Sequence, residues 1–96
     1  MVAKTVFCGP DENGDFTKFI TCVCMCGWDD SYDVYDDFID GKIACDVLPR
    51  IREVFNTLDN IVPATCLEED YAFYLYAWDK VLNTAENYPY ARISLV

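Results

Sequence analysis

Residues 16–26 have the sequence Phe-Thr-Lys-Phe-Ile-Thr-Cys-Val-Cys-Met-Cys, a run dense in residues that favour β-strands. With the two-residue period of a strand, one side carries Phe16, Ile20 and the cysteines at 22, 24 and 26, and the other carries Phe19, Val23 and Met25. Apolar side chains on both faces are typical of a strand that is covered on both sides. We therefore predict that this stretch is the central strand of a sheet.

Segments near both ends of the sequence are the predicted partners of this strand. Residues 2–8, Val-Ala-Lys-Thr-Val-Phe-Cys, also favour a strand, and residues 9–15, Gly-Pro-Asp-Glu-Asn-Gly-Asp, contain several turn signals. These two segments and residues 16–26 predict an N-terminal β-hairpin. At the other end, residues 90–96 alternate, with Ala91, Ile93 and Leu95 on one side. They predict a last strand that returns to the sheet.

Three helices are predicted between these strands. The first covers residues 29–40, with Gly41 as the residue that follows its end. The second begins near Asp46 and ends near Asn60, with an apolar stripe at helical spacing: Val47, Ile51, Val54, Phe55 and Leu58. Residues 42–48 fit both a short strand and the approach to this helix.

The third helix is predicted to start at a capping box, in which Thr65 caps the first turn and Glu68 reaches back to it. Its apolar stripe consists of Leu67, Tyr71, Tyr74, Leu75, Trp78 and Leu82. The predicted fold is α+β: one compact domain over residues 1–96, with a small antiparallel sheet and about three α-helices. The predicted core contains Trp78, Tyr74, Leu75, Phe55 and Ile51.

Most catalytic chemistry is excluded by the composition. The chain has no histidine, which removes Ser-His-Asp and Cys-His nucleophilic sites, and its four glycines form no phosphate-binding loop. Asp11, Asn13 and Asp15 imitate the start of a calcium loop. Phe16 and Cys22, however, occupy positions where that loop needs glycine and glutamate. We expect a protein that is not an enzyme and has no cofactor.

The cysteines are the sharpest chemical motif. Cys22, Cys24 and Cys26 point to one face of the predicted strand, and Cys8 on the paired strand could add a fourth sulfur to a zinc site. Structural zinc sites more often use pairs separated by two to four residues on a turn. We interpret the thiols as reduced, metal-free residues packed in or beside the core. A thiolate metal-binding protein is the alternative.

Charge gives the main indication of function. The net charge is −10, and residues 29–40, Asp-Asp-Ser-Tyr-Asp-Val-Tyr-Asp-Asp-Phe-Ile-Asp, hold six of the 17 acidic residues and no base. Direct binding to nucleic acid or to an anionic membrane is not expected, since both repel carboxylates. Because neither a secretory leader nor a membrane-spanning run is visible, we expect a cytoplasmic protein, in the host cell if it is viral.

Wound as a helix, this acidic segment places six carboxylates on one arc: Asp29, Asp30, Asp33, Asp36, Asp37 and Asp40. They recur about every 3 Å along the axis, between the ~3.4 Å phosphate spacing of one DNA strand and the ~1.7 Å of the duplex. A long run of charged residues is often only a solvated helix face. Such faces, however, commonly carry both positive and negative side chains. A row that repels itself indicates a cationic partner, with Tyr32 and Tyr35 adding contact at the rim.

The combination of small size, strong acidity, no catalytic residues and a phosphate-like row of carboxylates resembles the profile of phage-encoded inhibitors of nucleic-acid-handling host defences. These include anti-CRISPR and DNA-mimic proteins. The likeness is one of profile: these inhibitors share no common fold, and no family motif transfers a site residue. It implies an inhibitor that occupies the basic groove of a nucleic-acid-binding protein. An acidic adaptor or homo-oligomer subunit is the other hypothesis.

Overall fold

A computed structural model of the chain describes residues 4–24, 39–58 and 67–96. In chain order the elements are β1 (Lys4–Gly9), β2 (Lys18–Cys24), α1 (Ala44–Asn56), α2 (Glu68–Asn87) and β3 (Arg92–Leu95). The fold is α+β, as predicted, with an antiparallel sheet built from the N-terminal hairpin and the C-terminal strand. The number of helices differs from the prediction, because the described residues contain two and not three.

The order of the strands in the sheet is β2-β1-β3, so the prediction that residues 16–26 form the central strand is wrong. β1 lies in the centre and pairs antiparallel with both neighbours. Its side chains alternate, with Thr5, Phe7 and Gly9 buried and the residues between them less so. β2 is an edge strand of the described sheet, and only Val23 in it is fully buried. Both faces of β2 carry apolar residues, but the fold does not cover both of them.

A β-bulge in the hairpin explains part of this error. Phe7 lies opposite Thr21 and Cys8 lies opposite Phe19, which leaves Ile20 as an extra residue in β2. Because side chains alternate along a strand, one extra residue moves every earlier side chain to the other face. Phe19 thus shares a face with Cys22 and not with Val23, and it is 63% exposed.

The core lies between one face of the sheet and the two helices, which pack against each other. Phe7, Val23 and Ile93 contribute from the three strands, and the helices contribute a larger apolar set: Ala44, Val47, Ile51, Val54, Ala77, Trp78, Val81 and Ala85. Of the predicted core residues, Trp78 and Ile51 are fully buried. Tyr74, Leu75 and Phe55 are partly buried and pack against this cluster.

Residues 42–48 combine both of the structures that the sequence allowed. Ile43 forms an isolated antiparallel bridge with Arg92 of β3, and α1 begins at the next residue. The N-cap residue Ile43 has no side-chain acceptor, so the first helical amides need other partners. The carbonyls of Ala91 and Pro89 accept hydrogen bonds from the amides of Ala44 and Cys45, at 2.8 and 2.9 Å. A backbone turn therefore caps α1.

The ends of the helices differ in detail from the sequence pattern. α1 ends at Asn56, short of the predicted Asn60, and the Thr57 amide and hydroxyl both bond the Glu53 carbonyl. α2 begins at Glu68 with Leu67 as its N-cap and not Thr65, which lies outside the described residues. Acidic residues in the first turn favour this start through the helix dipole. Neither described helix combines the length and apolar character that crossing a bilayer requires.

Candidate functional site

Eight residues were predicted to bind a partner, and the structure describes one of them, Asp40. The other seven lie outside the described residues: Asp29, Asp30, Asp33, Asp36, Asp37, Tyr32 and Tyr35. The predicted acidic helix is thus not tested over most of its length. Asp40, the last residue of this predicted helix, lies with Gly41 beside strand β3 of the sheet.

Asp40 has a structural role that its place in an acidic row does not indicate. Its carboxylate accepts a hydrogen bond from the Leu95 amide of β3, with an N–O distance of 2.9 Å. Next to it, the Gly41 amide donates to the Ile93 carbonyl at 2.7 Å, and the Ile93 amide donates to the Lys42 carbonyl at 2.8 Å. Residues 40–43 therefore run along the outer edge of β3. Gly41 has a φ of +76°, a left-handed conformation that glycine adopts without steric cost.

Replacing Asp40 by Ala should lower the free energy of unfolding by about 1–2 kcal/mol, because the Leu95 amide loses a charged acceptor near the protein surface. Asp40→Asn keeps an acceptor oxygen in the same place and should cost less than half as much. Urea denaturation of both variants checks this. Equal destabilisation by Ala and Asn would mean that the hydrogen bond does not stabilise the edge.

Most carboxylates in the described ranges form no ion pair with Lys or Arg. All seven Lys and Arg residues lie in the described ranges, whereas residues 25–38 carry five aspartates and no base. Within the described ranges two ion pairs are present, Arg50–Glu53 at 2.8 Å and the longer Arg52–Glu86 at 3.8 Å. Both pairs are exposed, and exposed ion pairs contribute little to the free energy of folding. The excess negative charge therefore remains available to an external cation.

The hairpin loop explains the Asp-x-Asn-x-Asp pattern without a metal. One carboxylate oxygen of Asp11 accepts the amides of Asn13 and Asp15 at 2.8 and 2.9 Å, and the other accepts the Thr17 hydroxyl at 3.0 Å. The hydrogen bonds from the Asp15 and Asn13 amides lower the pKa of Asp11. This carboxylate organises the turn, in which Gly14 has a φ of +86°.

The thiols can be compared with the prediction in part, since Cys26 lies outside the described residues and none of the described cysteines belongs to the buried core. Cys8, Cys22 and Cys45 are free thiols. Cys22 and Cys24 share a face of β2, while Cys8 lies opposite Phe19 and not opposite a cysteine. Cys24 is exposed, which corrects its assignment to the core or its border. Among the described residues no group of three or more Cys, Asp or Glu side chains could hold a metal ion.

An aromatic groove at the hairpin end of the sheet was not predicted as a site. It has a volume of about 290 Å³ and is lined by Gly9, Pro10, Lys18, Phe19, Ile20, Tyr88 and Tyr90. Neither Tyr88 nor Tyr90 is among the residues that the sequence predicted to bind a partner. The signal that could have found the groove is the run Tyr88-Pro89-Tyr90, since proline at the second position of a turn fixes its neighbours.

The chain matches no protein-family model, no curated protein and no solved structure.

Proposed function

We propose that this chain is a non-enzymatic inhibitor that occupies the basic nucleic-acid-binding groove of a target protein, in the manner of phage anti-CRISPR and DNA-mimic proteins. The observation that carries the proposal is the composition of residues 29–40, where six aspartates occur with no base in a chain of net charge −10. The partner is a protein rich in Lys and Arg. No direct contact with nucleic acid is part of the mechanism.

The mechanism is electrostatic competition. A groove that grips nucleic acid presents cations at intervals that match phosphates, and a helical row of carboxylates about 3 Å apart can use the same cations. Attraction between the two surfaces speeds their encounter and excludes the nucleic acid. Tyr32 and Tyr35 would add contact area beside the charges, as tyrosine does in many interfaces.

The anchoring of Asp40 supports this mechanism. Its hydrogen bond to Leu95, with that of Gly41 to Ile93, holds the C-terminal end of the acidic segment against β3. Binding costs less entropy when the binding segment is already held in place. One of the six aspartates thus contributes to position, and the other five are the charges available for the partner.

An acidic adaptor or homo-oligomer subunit is the second candidate, and exposed aromatic residues on α2 favour it. Tyr76 is 63% exposed, Phe73 is 36% exposed, and Leu67 just before the helix is 60% exposed. Exposed apolar surface of this kind commonly marks a protein interface. Under this hypothesis Tyr76→Ala, and not loss of the aspartates, would abolish partner binding or self-association.

The decisive experiment compares two variants that each remove three negative charges. The test variant changes Asp33, Asp36 and Asp37 to Asn and retains Asp40 because of its bond to β3. The control variant changes Glu53 and Glu86 to Gln and Asp79 to Asn, all exposed on the helices. A target is captured from a lysate rich in nucleic-acid-processing proteins and purified. Displacement of labelled DNA or RNA from that target is then measured at low and moderate salt.

The wild-type chain should displace the nucleic acid, and the test variant should associate about tenfold more slowly at low salt, with a smaller difference at moderate salt. The control variant should behave as wild type. The melting temperature of the test variant should stay the same or rise, because like charges are removed. Displacement by the test variant that equals wild type at both salts contradicts the proposal.

A further inference from the structure

The groove beside Tyr88 and Tyr90 brings several exposed aromatic side chains together. Phe19 is 63% exposed, Tyr90 is 52% exposed and Tyr88 is 39% exposed, although all three are aromatic. They converge at one end of the sheet together with Pro10 and Lys18. Exposed aromatic side chains that converge on one groove are typical of a binding surface rather than of chance exposure.

The two tyrosines are held in place by a turn. The Tyr88 carbonyl accepts a hydrogen bond from the Ala91 amide at 3.1 Å, with Pro89 and Tyr90 between them. The rings of Tyr88 and Tyr90 meet edge to face, with centroids 6.3 Å apart. The same turn caps α1 through the Pro89 carbonyl. The aromatic wall is therefore tied to the helical layer and is already formed before any ligand binds.

Gly9 sets the width of the groove. A Cβ atom at this position would lie 3.2 Å from Cε2 of Tyr90 and 3.4 Å from Cδ1 of Ile20. The backbone of Gly9 does not have a positive φ, so the glycine is needed here for space and not for its conformational freedom. The Tyr90 ring thus lies directly against the end of β1.

The charges around the groove lie on the side of the hairpin loop. Lys18 borders both the aromatic groove and a more open depression, which the hairpin loop lines with Asp11, Glu12, Asn13 and Thr17. Lys18 and the tyrosine hydroxyls are hydrogen-bond donors, which an extended peptide with free carbonyls can use. The carboxylates of Asp11 and Glu12 favour a cationic side chain at the loop end. A ligand that offers both free carbonyls to the donors and a cationic side chain to the carboxylates is extended and amphiphilic.

We infer that this groove binds a proline-rich peptide segment in the polyproline II conformation, with a Lys or Arg side chain directed to the hairpin loop. Proline rings pack well on aromatic side chains, and this conformation leaves the peptide carbonyls unpaired for Lys18 and the tyrosines. Its preformed geometry also lowers the entropic cost of binding. A single nucleic-acid strand could stack on the same rings, but the net charge of −10 opposes it.

The test is an NMR titration of the isotope-labelled full chain with a synthetic ten-residue peptide that contains Pro-x-x-Pro and one terminal arginine. We expect chemical-shift changes centred on Gly9, Lys18, Phe19, Tyr88 and Tyr90. Two matched peptides, one with alanine for the prolines and one with glutamate for the arginine, should bind at least about fivefold more weakly. None of these five residues belongs to the acidic segment 29–40, so the outcome is independent of the inhibitor proposal.

Two chain variants and a control complete the test. Tyr90→Ala should weaken peptide binding about tenfold, the typical size of a tyrosine contact at the centre of an interface. Phe19→Ser, on the other wall, should weaken it without touching the turn. Tyr76→Ala removes an equally exposed aromatic residue elsewhere and should leave binding unchanged.

Three results would overturn the inference. The first is no shift at the groove with peptide at millimolar concentration. The second is equal binding of the proline-free peptide. The third is a single-stranded oligonucleotide that binds the same residues more tightly than the peptide does.

Discussion

Trp78→Ala should lower the free energy of unfolding by about 3–5 kcal/mol, the usual cost of removing a large aromatic side chain from a packed core. Trp78 is 0% exposed and has the largest side chain among the fully buried residues. It lies in α2 within the same buried cluster as Ile51 of α1 and Phe7 of β1. A cavity at this position removes contacts from several elements of the core at once.

The size of this effect matters because domains of this length are stable by roughly 5–15 kcal/mol in total. A loss of 3–5 kcal/mol is about a fifth or more of that amount, and it should appear as a large shift of the urea midpoint with an unchanged slope. Tyr76→Ala, two residues earlier in the same helix and 63% exposed, should shift the free energy by less than about 0.5 kcal/mol. Equal midpoints for wild type and Trp78→Ala would contradict the core assignment.

Ile93→Ala should destabilise the chain by about 2–5 kcal/mol. Ile93 is 0% exposed and lies opposite Phe7 in the pairing of β3 with β1. Its backbone also bonds Gly41 and Lys42, so the residue connects the central strand to the segment that leads into α1. Loss of its side chain leaves the edge strand without its main anchor in the core.

Ser94→Ala is the matched control for Ile93, because its side chain lies on the opposite face of the same strand and outside the buried cluster. It should change the free energy of unfolding by less than about 0.5 kcal/mol. If the chain is one domain, Ile93→Ala and Trp78→Ala should each shift a single cooperative transition seen by both fluorescence and circular dichroism. Two separate transitions would reject the single-domain prediction.

The helices, the hairpin and the last strand could be predicted because each is encoded by a local pattern. Apolar spacing located α1 and α2 within a few residues, and alternation located β3. The central strand could not be predicted in the same way. Which strand lies in the middle depends on the return of β3 to β1, where Thr5 pairs with Leu95, and no local period encodes a contact over that distance. The bulge at Ile20 is equally invisible to a strict two-residue period.

The candidate sites also differ in how much of each could be predicted from the sequence. The aspartate row is a property of the sequence and needs no structure to be recognised. The role of Asp40 depends on a partner, Leu95, that lies 55 positions away along the chain. The aromatic groove likewise joins residues from the hairpin and from the end of α2, which only the folded chain brings together.

The central position of β1 has a consequence for how the chain is made. During synthesis β1 and β2 emerge before the two helices, and β3 emerges after them. Until then the strand that will be the middle of the sheet has an open edge, and α1 lacks the turn that caps its first amides. Open strand edges are prone to pair with other chains. The nascent protein is therefore most vulnerable to aggregation before β3 has emerged from the ribosome.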